Sequence, residues 1–174
     1  MKNLKFILPA ALLALASCSQ NTRPSENAGV TTDSTVTEAV DQSVEKGLFA
    51  KMTIKDTIKV GEPIQLKFTV YNTADSTQQF CRWHTPFEPL ISKYLDIKDE
   101  NGVEVDYKGA MAKRVMPPPA SSYMKLNAKD SLSAEADLLK GYAISKPAKY
   151  TVTYNSQNMS GLIVKDSISF VYIK

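Results

Sequence analysis

The chain has 174 residues, 43% of them hydrophobic and 22% charged, with a formal net charge of +3. One histidine and two cysteines, Cys18 and Cys81, are too few for a multi-ligand zinc centre or a disulfide framework and too far apart in sequence for a Cys-x-x-Cys redox pair. Lys and Arg are scattered with no helical basic stripe, which excludes a nucleic-acid footprint.

Residues 1–17 read as an export signal rather than as fold. Lys2 and Lys5 form a positive start, and Phe6–Ala16 is an apolar run too short to span a bilayer. The run ends in Leu15-Ala16-Ser17-Cys18, which resembles a bacterial lipobox. That resemblance implies cleavage before Cys18 and lipidation of Cys18. The chain would then be held to the membrane by several acyl chains, each buried CH₂ contributing about 0.8 kcal/mol. Ser19 after the lipid Cys implies, by the same resemblance, sorting to the outer membrane, and the lack of a dense acidic run after Cys18 favours a periplasm-facing position.

Residues 18–47 then read as a lipidated Cys and a flexible tether. The segment is rich in Ser, Thr, Asn, Asp and Glu and has no aromatic residue. It cannot bury enough apolar surface to offset its ordering entropy. A coil of this length reaches about 30 Å.

Residues 48–174 are long enough for one core. The signal along them is period two. Leu48, Ala50, Met52 and Ile54 alternate with polar residues, as do Ile64, Leu66, Phe68 and Val70. Each run predicts a half-buried strand. Further strands are predicted over 78–83, 94–98, 103–107, 122–126, 131–138, 149–155 and 166–173. Asn101-Gly102 between two alternating runs marks a hairpin. Residues 108–119 end in three prolines and read as an extended loop. Many short strands with regular turns predict an all-β, antiparallel, immunoglobulin-like β-sandwich following the disordered tether. Tyr150, opening a strand after Pro147, is placed for a tyrosine corner, with its hydroxyl bonded to upstream backbone.

The stretch Gln78–Glu88 (QQFCRWHTPFE) holds the only Trp, the only His and the only Cys outside the leader. Pro86 cannot donate to a strand ladder and pushes Thr85 toward extended backbone, so a shaped loop is predicted there. Two readings of Trp83 stand: a core Trp on a middle strand, or a surface anchor. Cys81 reads as a buried small hydrophobe. His84 reads as a residue that hydrogen-bonds backbone and fixes the loop.

Catalytic constellations are missing. Cys81 and His84 are three apart at a strand end, so their side chains tend to opposite faces. No His-Glu-x-x-His, Gly-rich phosphate loop or calcium loop is present. The acidic residues Asp96, Asp99, Glu100, Glu104 and Asp106 read as a solvated hairpin face with weak ion pairs. The sequence therefore predicts no catalytic residues, no metal, no cofactor and no enzyme.

Four ordered segments carry a family resemblance: RWHTPFEPL (82–90), DIKDENGVEVDYKGAMAKR (96–114), YMKLNAKDSLSAEADL (123–138) and YAISKPAKYTVTY (142–154). Together they resemble the N-terminal β-sandwich region preceding the catalytic domain in bacterial deuterolysin-type (aspzincin) zinc endopeptidases, including peptidyl-Lys metalloendopeptidases. The match covers about residues 60–155. The family's catalytic domain does not follow here, and Ala148 replaces an expected Gly. The resemblance implies a protease pro-region without its protease, which would inhibit, chaperone or dock a secreted protease. A structural or envelope-assembly lipoprotein is the alternative. The partner surface it points to is Trp83, His84, Thr85, Pro86 and Phe87, with Met111, Lys113 and Arg114 beside them.

Overall fold

A computed structural model describes residues 47–174. The export signal, Cys18 and the tether up to residue 46 lie outside the described residues. In chain order the strands are β1 (Leu48–Thr53), β2 (Thr57–Lys59), β3 (Gln65–Asn72), β4 (Gln78–Cys81), β5 (Leu95–Asp99), β6 (Tyr123–Leu126), β7 (Ser131–Asp137), β8 (Ala148–Tyr154) and β9 (Ile168–Ile173). One four-residue helix, α1 (Gln157–Ser160), lies between β8 and β9.

One sheet runs β1-β3-β7, a second β2-β9-β8-β5, and β4 pairs with β6. The alternation read from sequence faces inward as expected. Leu66, Phe68 and Val70 of β3 are fully buried, as are Ile97 of β5 and Val152 of β8. Phe68 meets Tyr154 across the core, ring centroids 5.4 Å apart. The protein is thus an all-β sandwich. The Tyr150 hydroxyl donates to the Lys146 carbonyl at 2.8 Å, the tyrosine corner that the Pro147 turn predicted.

The structure corrects three details of the strand assignment. First, one pair is not antiparallel: β2 runs parallel to β9. The first strand leaves β3 after Thr53 and crosses to the other sheet, where Val171 N donates to the Asp56 carbonyl. Its direction is therefore already set when it meets β9.

Second, 103–107 does not form a strand. The Asn101-Gly102 turn closes as expected, with Gly102 at φ 79° and the Asp99 carboxylate accepting from Asn101 N and Val103 N. Two ladder bonds follow, Asp99 N to the Val103 carbonyl and Val105 N to the Ile97 carbonyl. Tyr107 then turns away to pack its ring on Tyr142, centroids 5.1 Å apart.

Third, β4 stops at Cys81, so Trp83 lies in the loop and not on a strand.

The β4–β6 pair continues the β3–β7 pair beyond a corner. Tyr71 pairs with Ser131, and the ladder resumes at Gln78 with Leu126. The buried Asn72 amide fills the corner, donating to the carbonyls of Ser76, Leu126 and Asn127. Cys81 pairs with Tyr123 at the far end. The loop starting at residue 82 and the loop ending at residue 122 therefore leave the ribbon at the same tip.

Candidate functional site

The tip is built by hydrogen bonds local in sequence. Thr85 Oγ1 donates to the Arg82 carbonyl at 2.6 Å and accepts from Phe87 N at 3.2 Å. Glu88 N donates to the Thr85 carbonyl. Thr85 is buried and winds the chain tightly around its own hydroxyl. His84 sits at φ 58°, a left-handed conformation costing a non-glycine residue roughly 1–2 kcal/mol. Bonds on both sides hold it there. Its N–H donates to Glu88 Oε1 at 2.9 Å, and its carbonyl accepts from the Tyr154 hydroxyl at 3.0 Å.

Glu88 joins the two loops. Its carboxylate also accepts from Arg114 Nη2, and this ion pair is largely shielded, with side chains 6% and 16% exposed. Arg114 Nη2 also reaches Ser92 Oγ at 3.4 Å. The same guanidinium lies over the Trp83 ring, 4.6 Å from its centroid. Behind it, Ala112 N donates to the Ile91 carbonyl, and the Tyr107 hydroxyl lies 3.0 Å from the Leu90 carbonyl and 2.8 Å from that of Ala110.

The predicted partner residues are brought together but divided by exposure. Trp83 is 8% exposed, and Thr85 and Pro86 are buried. His84 and Phe87 are half-buried, and Phe87 packs inward on Phe80 and Phe68. Of the two readings of Trp83, the structure takes the buried one. Arg114 is committed to Glu88 and Trp83. Lys113 is exposed, and Met111 is 70% exposed. Val115 and Met116, which sequence reasoning passed over, are 76% and 63% exposed. Glu88 was passed over too, although its place four residues after His84 is a spacing at which a carboxylate can fold back to a loop N–H.

Electrostatics match this packing. Burial, and then the Arg114 charge, hold the His84 imidazole below its ordinary pKa. Its Nδ1 lies 3.3 Å from Ser156 Oγ. Burial raises the Cys81 thiol above its usual range, which disfavours the thiolate that a nucleophile needs. Among the described residues, no group of three or more His, Cys, Asp or Glu is placed to hold a metal ion.

A family model for an immunoglobulin-like domain matches residues 51–160. The chain belongs to this immunoglobulin-like family. The immunoglobulin-like domain is 28% identical over 100 residues to an uncharacterized secreted protein of Arthroderma benhamiae, across 55% of this chain and 51% of that one. It is 27% identical over 108 residues to an extracellular protease of Aeromonas hydrophila, across 62% of this chain and 30% of the protease. The chain thus spans about half or less of the length of these relatives. Two solved structures share low similarity. The alkylpurine DNA glycosylase AlkC of Pseudomonas fluorescens gives a TM-score of 0.38 at 15% identity, over 74% of this chain and 31% of that one. A CARDB domain from Pyrococcus furiosus gives 0.34 at 9%, over 76% and 97%.

Proposed function

We propose that this immunoglobulin-like domain is a non-enzymatic, exported binding module, lipid-anchored through Cys18 to the periplasmic side of the outer membrane. It docks on a partner through residues 111–116. The observation that carries this reading is the contrast within one loop. Arg114 is clamped inward by Glu88 and Trp83, while Met111, Val115 and Met116 on either side of it stand exposed. A loop pinned at its middle loses little conformational freedom on binding, which favours association. Methionine adapts to an irregular apolar partner, and Lys113 suits an acidic rim.

The partner class that fits best is a secreted protease, which the domain would inhibit, chaperone or dock. The support is the similarity to part of an extracellular protease and the resemblance to a protease pro-region. Burial of Trp83 narrows the surface: residues 83–88 hold the loop, and 111–116 make the contact. A structural envelope lipoprotein with no protease partner is the competing reading, and that same burial of Trp83 favours it.

The test immobilises the full chain and measures retention or inhibition of purified secreted proteases from the producing cell. Met111→Lys and Val115→Lys serve as controls. Retention by wild type that both variants lose supports the proposal. Equal retention, or none, leaves the structural reading. Palmitate labelling that disappears in Cys18→Ser tests the anchor separately.

A further inference from the structure

The sheet edges of this domain are protected unequally. β1 is covered on its outer side by 162–164, where Ala50 N donates to the Ile163 carbonyl at 2.8 Å. β5 is covered by 103–105, through Asp99 N to the Val103 carbonyl and Val105 N to the Ile97 carbonyl. β2 is three residues long and ends in Lys59. Strand β7 is different. It is seven residues long and pairs only with β3. Among the described residues, no backbone bond reaches Leu132–Ala136 from the other side. Alternate residues of such an edge turn their N–H and C=O groups outward. Proteins usually blunt a long edge with Lys, Pro, a bulge or an inward charge. The sequence SLSAEAD of β7 has no Lys or Pro and its register with β3 is unbroken, so the exposed Glu135 is the one charge within the strand before the terminal Asp137.

The inner face of β7 is less covered than that of β3. Register places Ala136 beside Leu66, Ala134 beside Phe68 and Leu132 beside Val70. The three β3 residues are fully buried, whereas Leu132, Ala134 and Ala136 are only half-buried. Bulky apolar side chains on an added strand would cover these half-exposed residues. A second copy of β7 offers only Ala and Leu on that face and adds more acid. On the outer face β7 carries Ser131, Ser133 and the exposed Glu135, which lies opposite the exposed Lys67 of β3 and has no neighbouring strand on its free side among the described residues.

We propose that the outer edge of β7 is a strand-addition site for an extended segment of a partner protein. The segment that fits presents bulky apolar side chains inward, alternating with a basic one beside Glu135. Main-chain bonds supply the affinity and the alternate side chains the specificity. This site is separate from the 111–116 surface, and its occupancy does not depend on that surface.

The test uses the full chain in detergent and, as probe, a capped peptide of alternating Val and Lys about nine residues long. Hydrogen exchange and titration are the readouts. Expected is saturable binding that slows exchange at Leu132–Ala136. Methylating alternate peptide amides should abolish it, a control that leaves the protein untouched. Glu135→Lys, on an exposed position, should weaken it about threefold or more. Absence of saturable binding, or protection confined to residues outside β7, overturns the proposal. So does protection at Leu132–Ala136 without peptide in a chain that sediments as a dimer, since the occupant is then a second copy.

Discussion

The guanidinium of Arg114 covers the Trp83 ring at 4.6 Å while its Nη2 pairs with Glu88. One side chain thus closes the tip over the only Trp and ties the 108–119 loop to the 82–94 loop. Arg suits this role because a planar cation stacks and hydrogen-bonds at once. A buried cation over Trp contributes on the order of 2 kcal/mol.

Removing part of this clip is expected to unfold more than the tip. Trp83→Ala deletes a buried aromatic and should cost about 3–5 kcal/mol. Glu88→Gln leaves the Arg114 charge shielded and unpaired, at a cost of about 3 kcal/mol or more. Met111→Lys changes an exposed residue and should stay within about 0.5 kcal/mol of wild type. Denaturant midpoints of the full chain check all three. A Trp83→Ala protein as stable as wild type would remove the structural role argued for this ring.

His84 is expected to make folding pH-dependent. Its folded pKa lies below the ordinary value, so the unfolded chain binds the proton more readily. Stability rises with pH wherever the unfolded state holds more protons. The full contribution is present above the unfolded value, about 6.5, and is lost as pH falls through the folded value. His84→Asn keeps a residue type that tolerates positive φ and cannot titrate. Wild type should lose stability relative to this variant as pH falls from 7 to 5, each pH measured on both proteins. A constant difference would mean that His84 does not titrate in this window.

Gly109 sets how closely the 108–119 loop approaches Tyr107. A Cβ there would overlap the Tyr107 hydroxyl and ring. That hydroxyl is held by the carbonyls of Leu90 and Ala110, and its ring by Tyr142. Gly109→Ala should therefore displace Tyr107, costing about 1–3 kcal/mol, and speed hydrogen exchange at Ala112. Adding Tyr107→Phe removes the nearest clashing atom, so the double variant should recover part of the loss relative to Tyr107→Phe alone.

Period-two patterning was enough to find the sandwich, because each strand buries one face and exposes the other. Tyr150 was legible for a similar reason: Pro147 fixes a turn, and a buried hydroxyl needs a partner nearby. What escaped were features decided by contacts distant in sequence. The alternation of 103–107 matches a strand, but Tyr142 draws Tyr107 out of the ladder. Trp83 remained open between core and surface because the residue covering it, Arg114, comes from another loop. Glu88, between Phe87 and Pro89, carries no pattern of its own; its meaning depends on Arg114. Thr57–Lys59 was too short to show alternation, and it pairs only because β9 lies beside it.

Asn72 holds the corner between the sandwich and the β4–β6 tip, and it supports the sharpest prediction. The residue is 1% exposed. Its amide group faces the carbonyls of Ser76, Leu126 and Asn127, and its Oδ1 accepts from Ala74 N at 3.0 Å. Asn72→Ala strips partners from several buried groups, at about 1–3 kcal/mol for a group left unsatisfied. Asn72→Asp keeps the shape but sets a carboxylate against three carbonyl oxygens. At neutral pH it should be the more damaging change, although it is the more conservative in volume. The new carboxyl can donate to a carbonyl only when protonated, so its folded pKa must rise. Its penalty then falls as pH drops through that raised value. Unfolding curves for both variants at pH 7 and pH 4.5 decide the point. The expected result is Asn72→Asp below Asn72→Ala at pH 7 and a narrowed gap at pH 4.5. An Asn72→Asp variant as stable as wild type at pH 7 would show that the corner does not depend on this amide.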